Sequence, residues 1–180
     1  MAKFFEAINE ELSAFIANQK IFFTGTAAAE GRVNVSPKGT DSLRVLGPNR
    51  VIWLNLTGSG NETAAHLAQV NRITLMFCAF EGKPLILRLY GSARTIHPRD
   101  KDWEELYAHF PDSNGARQIF DIQVESVQTS CGFAVPFMDY KEDRDVLTKW
   151  AENKGKDGIR QYWEDKNVTS IDGAPTGIFE

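Results

Sequence analysis

The sequence predicts a mainly β fold: an antiparallel barrel of six or seven strands with helices at its periphery. Short apolar runs recur between tight turns, which is typical of small antiparallel barrels. The connections between residues 21 and 56 are too short for parallel crossovers, which need a dozen or more residues. Helices separate some of the strands, so an α/β fold with a parallel sheet is the competing prediction.

Six segments carry the pattern expected of strands. The dipeptide Glu30-Gly31 indicates a hairpin turn, and residues 81–84 form a second turn signal. Gly91 interrupts one strand, which favours a bulge or the close approach of a ligand or partner. The predicted strands cover residues 21–26, 32–36, 51–56, 73–80, 85–96 and 119–127.

Apolar residues at steps of three and four predict an N-terminal helix over residues 3–18. Further helices are predicted over residues 62–70 and 99–110, with a C-terminal helical extension over 140–167. The length of 180 residues favours a single domain that spans residues 1–180.

Composition and charge exclude several functions. The net charge is −4, from 20 basic and 24 acidic residues, and no basic cluster is present, which argues against nucleic-acid binding. No run approaches the roughly 20 apolar residues of a membrane span. The start of the chain does not resemble a signal peptide, so we expect a cytoplasmic protein. Cys78 lies in an apolar run, which predicts a buried, inert thiol.

Two turns rich in glycine and hydroxyl groups point to a phosphate-bearing ligand. Lys38 follows Ser36-Pro37 at the end of one strand, and Asn61 and Thr63 open a helix after another. A helix start offers free amides and a positive dipole end, and a lysine can reach a phosphate as a point charge. The alternatives are a solvent-exposed lysine and simple helix capping by Asn61 and Thr63. Glu62 should then point away from a phosphate.

Four segments together resemble the pyridoxamine 5′-phosphate oxidase-like flavoproteins, which have an FMN-binding split barrel. They occur in family order within residues 21–127: Lys38-Gly39, Thr57 with Asn61-Glu62-Thr63, residues 71–77, and residues 88–91. The resemblance implies FMN as the cofactor, with Lys38 at its phosphate and Thr57 at the flavin. The family's Ser-Arg-Lys phosphate motif falls on residues 61–63, where only the hydrogen-bonding capacity of Asn61 and Thr63 remains.

The positive charge missing from that motif could come from Arg32, Arg44 or Arg88, and the sequence does not distinguish them. The backbone of Val35, Ser36 and Pro37 is expected to face the flavin edge.

Residues 128–137 are similar to a segment, Gln-Thr-Ser-Cys-Gly-x-x-Val-Pro, of one subgroup of the superfamily. That likeness implies that Cys131 and Val135 lie near the flavin, in the site of a partner subunit. A strand end with a turn at Gly132 explains the same residues equally well. Proteins of this family are usually dimers with FMN between the subunits, so a homodimer with interfacial FMN is expected.

The resemblance implies an FMN-dependent oxidoreductase that acts on a small-molecule substrate or electron donor. True pyridoxamine phosphate oxidases carry an Arg-x-His motif near the C-terminus, whereas this chain has no histidine after His109. Oxidation of pyridoxamine phosphate is therefore not expected. No catalytic acid or base is identified, and the spacing of the histidines predicts no metal site.

Two alternatives remain open at this point. The same barrel could hold flavin or haem without turnover, with His66 as the candidate haem ligand near the predicted phosphate site. The chain could also be a structural dimer whose ligand site has decayed, because residues 61–63 depart from the family motif.

Overall fold

The computed structural model describes residues 2–180, and in these residues eight antiparallel strands form one sheet. This pairing confirms the antiparallel prediction over the parallel alternative. The strands are β1 (Lys3–Phe5), β2 (Phe22–Thr26), β3 (Asn34–Lys38), β4 (Leu43–Gly47), β5 (Arg50–Leu56), β6 (Ile73–Cys78), β7 (Ile86–Ile96) and β8 (Ala116–Ser130). The helices are α1 (Glu10–Asn18), α2 (Glu62–Gln69), α3 (Trp103–Tyr107) and α4 (Val146–Lys166).

The 15-residue strand β8 organises the sheet. The strands run in the order β3-β2-β6-β7-β8-β5-β4, and β1 also pairs with β8. Strand β7 follows almost the whole of β8, whereas β5 pairs with its first half and β1 with its end. The start of β8 therefore lies beside the end of β5, where the chain turns into α2.

The N-terminal helix is shorter than predicted, because residues 3–5 form a strand. Phe4 pairs with Gln128 of β8, and α1 begins only at Glu10. The side chain of Asn9 caps this helix by accepting a hydrogen bond from the amide of Leu12 at 2.9 Å. The sequence pattern also does not predict strand β4. It lies at the edge of the sheet as the antiparallel partner of β5.

Aromatic side chains fill the interior of the barrel. Phe22 packs against Trp53 and Phe77, and Trp53 packs against Phe120, with ring centroids 4.8–6.1 Å apart. Helices α1 and α2 add apolar residues to this core, whereas α3 covers a second apolar cluster on the other face of β5 and β8. Cys78 is buried, and burial raises the pKa of its thiol, as expected of an inert cysteine.

Gly91 marks a β-bulge. The pairing of β7 with β8 shifts register between Tyr90 and Gly91. A Cβ atom at Gly91 would lie 1.9 Å from the carbonyl oxygen of Gln123, so only glycine fits this close backbone approach. Of the two sequence interpretations, the bulge is the one that the structure contains.

The C-terminal extension bends at Gly155, whose φ of 62° interrupts α4. Beyond the bend, Trp163 donates a hydrogen bond from Nε1 to Thr57 Oγ1 at 2.9 Å. This contact docks the end of α4 on the turn that follows β5. None of the helices within residues 2–180 has the length and apolar character needed to cross a membrane.

Candidate functional site

A cavity of about 730 Å³ opens where β3, the β5–α2 turn, the start of α2 and the C-terminal segment (residues 165–180) meet. Most of its lining residues are polar. They are Arg32, Val33, Asn34, Val35, Ser36, Lys38, Asn55, Leu56, Gly58, Ser59, Gly60, Asn61, Glu62, Thr63, His66, Arg117, Asp165, Lys166, Thr169, Ser170 and Ile171.

Strand β3 presents one face to this cavity. Asn34, Ser36 and Lys38 alternate along the strand and are half-buried, whereas Val35 and Pro37 are exposed on the opposite face, from which Val35 reaches the rim of the cavity. The ammonium of Lys38 lies 3.1 Å from Ser36 Oγ and 5.2 Å from the ring centroid of Trp53. Burial, with a contribution from the charge of Arg117, lowers the pKa of Lys38 to about 8. Lys38 is therefore held against the core and is not a freely solvated lysine.

The start of α2 faces the same cavity and is not capped by a side chain. Asn61 occupies the N-cap position, yet its Oδ1 accepts a hydrogen bond from Gln118 Nε2 at 2.9 Å, and its buried Nδ2 has no partner. Capping by the Asn61 side chain is therefore absent. The first helical amide to reach a backbone acceptor is that of Ala65, which lies 3.4 Å from the carbonyl oxygen of Asn61. The preceding amides of α2 remain available to a ligand.

Arg117 forms part of the cavity wall, and its side chain is almost fully buried, with only 3% of the residue exposed. Its Nη1 donates to the carbonyl oxygen of Gly60 at 3.0 Å and to Asn167 Oδ1 at 2.7 Å, while its Nε has no partner. Burial lowers the pKa of Arg117 to about 9. Among residues 2–180, no carboxylate forms a salt bridge with Arg117 or with Lys38.

The three arginines that the sequence offers as phosphate ligands form contacts with other groups of the protein. Arg32 reaches the cavity but forms an ion pair with Asp172. Arg44 pairs with Asp41, and Arg88 donates to Ser130 Oγ at 3.3 Å on the outer face of the sheet. Sequence reasoning missed Arg117. The available signal was the polar pair Arg117-Gln118 directly before the apolar residues Ile119 and Phe120.

The polar floor of the cavity is a hydrogen-bonded group of side chains. Asn34 Nδ2 lies 3.3 Å from both Thr26 Oγ1 and Thr63 Oγ1, and His66 Nδ1 lies 3.1 Å from Thr26 Oγ1. His66 is 3% exposed and lines the cavity. The carboxylate of Glu62 accepts a hydrogen bond from the amide of Ile171 at 3.0 Å, so it is held by the C-terminal segment.

Five of the predicted site residues share the cavity, and five do not. Val35, Ser36, Lys38, Asn61 and Thr63 line it. The hydroxyl of Thr57 is buried between Gly115 and Trp163 and therefore does not face the cavity. Pro37 lies on the exposed face of β3, Arg88 lies on the outer face of β7, and Cys131 and Val135 follow the end of β8.

Comparison with known proteins finds sequences that are similar to this chain. Residues 8–131 match the family model described as pyridoxamine 5′-phosphate oxidase. An Aspergillus flavus protein, described as pyridoxamine 5′-phosphate oxidase family protein ustO, is 34% identical over 195 aligned positions. That alignment covers 97% of this chain and 78% of the fungal protein.

Solved structures of low sequence identity share the fold. HupZ from Group A Streptococcus matches with a TM-score of 0.53 and 21% identity, over 67% of this chain and 91% of its own. A candidate pyridoxamine 5′-phosphate oxidase from Lactobacillus delbrueckii matches with a TM-score of 0.54 and 20% identity, over 68% and 94%. The predicted split-barrel fold is confirmed. The family match ends at residue 131, so α4 and the C-terminal segment lie outside it.

Replacing Lys38 with methionine should stabilise the ligand-free protein at pH 7. The lysine's pKa falls from 10.5 to about 8 on folding, so its charged form is disfavoured in the folded state. Methionine removes that cost, and we expect a gain of roughly 1–3 kcal/mol in the free energy of unfolding.

The pH dependence provides the check. Between about pH 8 and 10.5 the unfolded chain holds one more proton at Lys38 than the folded protein, so wild-type stability rises across this window. The advantage of Lys38→Met, measured by urea denaturation, should therefore shrink as pH rises. An advantage that is independent of pH would contradict this account of Lys38.

Proposed function

Because this chain belongs to the pyridoxamine 5′-phosphate oxidase family, we propose that its cavity binds FMN and that the protein is an FMN-dependent oxidoreductase. The phosphate of FMN lies against Lys38, Arg117 and the start of α2. The substrate or electron donor is a small molecule other than pyridoxamine phosphate, because the family's Arg-x-His substrate motif is missing.

One observation carries this proposal: two cations, Lys38 and Arg117, face one cavity without a carboxylate partner. Burying a positive charge is costly unless an anion compensates it, and two neighbouring cations raise the cost. The lowered pKa values of both side chains express that cost in the ligand-free protein. A phosphate dianion would offset it through charge-assisted hydrogen bonds.

Other features of the cavity fit the same ligand. The buried Nδ2 of Asn61, which has no partner, and the uncapped amides of α2 are hydrogen-bond donors, as a phosphate requires. The volume of about 730 Å³ lies within the range of roughly 300–1,000 Å³ typical of small-molecule sites. Asn34, Ser59 and Thr63 supply polar groups for the hydroxyls of a ribityl chain.

The cofactor would supply the two-electron chemistry, and the residues of this chain bind and orient it. Lys38 and Arg117 bind the phosphate of FMN, and β3 forms the wall against which the rest of the FMN molecule lies. The exposed residue Val35 lies at the rim of this wall.

Arg117→Gln should weaken the binding of FMN about 10- to 100-fold and the binding of riboflavin less than about threefold, since only FMN carries the phosphate. Flavin fluorescence titration measures both constants. Arg72→Gln is the matched control, because Arg72 is an exposed arginine just before β6 that does not line the cavity. Equal losses of FMN and riboflavin in Arg117→Gln would contradict the phosphate role.

Redox behaviour separates the enzyme from its alternatives. We expect the FMN-loaded protein to show flavin absorbance that bleaches on anaerobic addition of NADH or NADPH. Flavin bands that persist with every donor would favour a carrier. A Soret band after incubation with haem, lost in His66→Ala, would favour a haem protein. A protein that FMN does not stabilise against heat would indicate a decayed site.

We further propose that a second copy of this chain covers the outer face of the sheet. One row of cross-strand neighbours runs across six strands of this face: Pro37, Phe23, Met76, Arg88, Gln128 and Phe4. Side chains directly opposite each other across antiparallel strands point to the same face. Val35, at 68% exposed, lies on β3 beside Pro37, so this face reaches the rim of the cavity.

A homodimer would explain why Arg88, Cys131 and Val135 lie outside the cavity of their own chain. Met76→Glu places a charge in the middle of the row and should convert the dimer to a monomer in sedimentation equilibrium, with weaker FMN binding. Gln123→Glu, at an exposed position outside the row, is the control. A wild-type protein that is monomeric when loaded with FMN would refute this assembly.

A further inference from the structure

The C-terminal segment forms one wall of the cavity, although it lies beyond the family-matched residues 8–131. It contributes Asp165, Lys166, Thr169, Ser170 and Ile171 to the lining. Its link to Arg117 is the side chain of Asn167, which does not itself line the cavity. Asn167 is fully buried, at 0% exposed.

Both ends of the Asn167 side-chain amide are used. Its Oδ1 accepts a hydrogen bond from Arg117 Nη1 at 2.7 Å, and its Nδ2 donates to the carbonyl oxygen of Gly58 at 3.1 Å. Arg117 in turn donates to the carbonyl oxygen of Gly60 at 3.0 Å. The guanidinium is thus fixed between the C-terminal segment and the turn that leads into α2.

The backbone of Asn167 also forms hydrogen bonds, which connect it to α4 and to the rest of the C-terminal segment. Its amide donates to the carbonyl oxygen of Trp163 at 2.8 Å, and its carbonyl oxygen accepts from Thr176 Oγ1 at 2.6 Å. Asn167 therefore joins the end of α4, the C-terminal segment and Arg117 in one buried network.

The chemistry of the amide matters for the charge of Arg117. An amide oxygen orients a guanidinium without neutralising it, whereas a carboxylate at the same place would pair with it. A neutral acceptor leaves the positive charge of Arg117 available to another anion. An aspartate at position 167 would have satisfied Arg117 within the protein.

We propose that Asn167 is a positioning residue that holds Arg117 toward the cavity with its charge uncompensated, and so couples the C-terminal segment to phosphate binding. This inference rests on the proposed FMN site. By linkage, an anion that binds Arg117 also stabilises the docked position of the C-terminal segment. Three further contacts hold that position: Glu62 with the Ile171 amide, Arg32 with Asp172, and Arg99 with the carbonyl oxygens of Gly177 and Ile178.

Asn167→Asp tests the role of the neutral amide. The carboxylate keeps an acceptor for Arg117 but neutralises it, so we expect FMN to bind at least about tenfold more weakly. Riboflavin should change less than about threefold. The substitution also removes the hydrogen bond that Asn167 Nδ2 donates to Gly58, so the comparison of the two flavins, rather than the melting temperature, reports the effect of the charge. A purely structural role for Asn167 would instead weaken both flavins equally. Wild-type affinity for FMN in Asn167→Asp would overturn the proposal.

A second measurement needs no flavin. Asn167→Ala and Arg117→Gln, alone and combined in the ligand-free protein, form a double-mutant cycle read by denaturation midpoint. We expect the double variant to shift the midpoint by less than the sum of the single variants. Additive shifts would overturn the positioning role. A third outcome separates the two proposals. If the shifts are not additive but the wild-type protein binds FMN and riboflavin equally, the contact between Asn167 and Arg117 stands and the proposed phosphate site is refuted.

Discussion

The buried, uncompensated charge of Arg117 is the constraint on which the rest of the site depends. A guanidinium with 3% exposure needs acceptors, and the protein supplies only neutral ones, from Gly60 and Asn167. Burial lowers the pKa of Lys38, and the charge of Arg117 lowers it further. The ligand-free protein therefore bears an electrostatic cost that an anion of suitable size would relieve.

The barrel explains how these groups meet. The first half of β8 pairs with β5, so Arg117 lies next to the turn that leads from β5 into α2. The hairpin of β2 and β3 brings Lys38 to the same cavity, and its ammonium lies over the ring of Trp53 from the core. The C-terminal segment completes the enclosure from outside the family-matched residues. One wall of the cavity is therefore formed by residues that lie outside the part of the chain that matches the family.

The sequence predicts the fold where local signals are decisive. Tight turns and short connections specify antiparallel pairing, and Gly91 marks a real bulge. Phe4 and Phe5 fit helical spacing, so the sequence predicts a helix at residues 3–5. Their pairing with β8 is a long-range contact that periodicity does not report.

The site residues also divide into those that local sequence predicts and those that depend on long-range contacts. Ser36 and Lys38 lie together in one strand, and Asn61 and Thr63 lie at one helix start, so short motifs reveal them. Arg117 and Asn167 are separated by 50 positions, and their contact depends on where α4 docks. Thr57 sits within a recognisable motif, yet its hydroxyl bonds to Gly115 and Trp163 on the side away from the cavity. Local sequence identifies the turn but does not specify which side chain of the turn faces the ligand.

A crystal structure of the protein soaked with FMN tests the central claim most directly. The account predicts phosphate oxygens within hydrogen-bonding distance of the Arg117 guanidinium, the Lys38 ammonium and the first amides of α2. A bound FMN whose phosphate lies in solvent or against other residues, with Arg117 still contacting only Gly60 and Asn167, would contradict it.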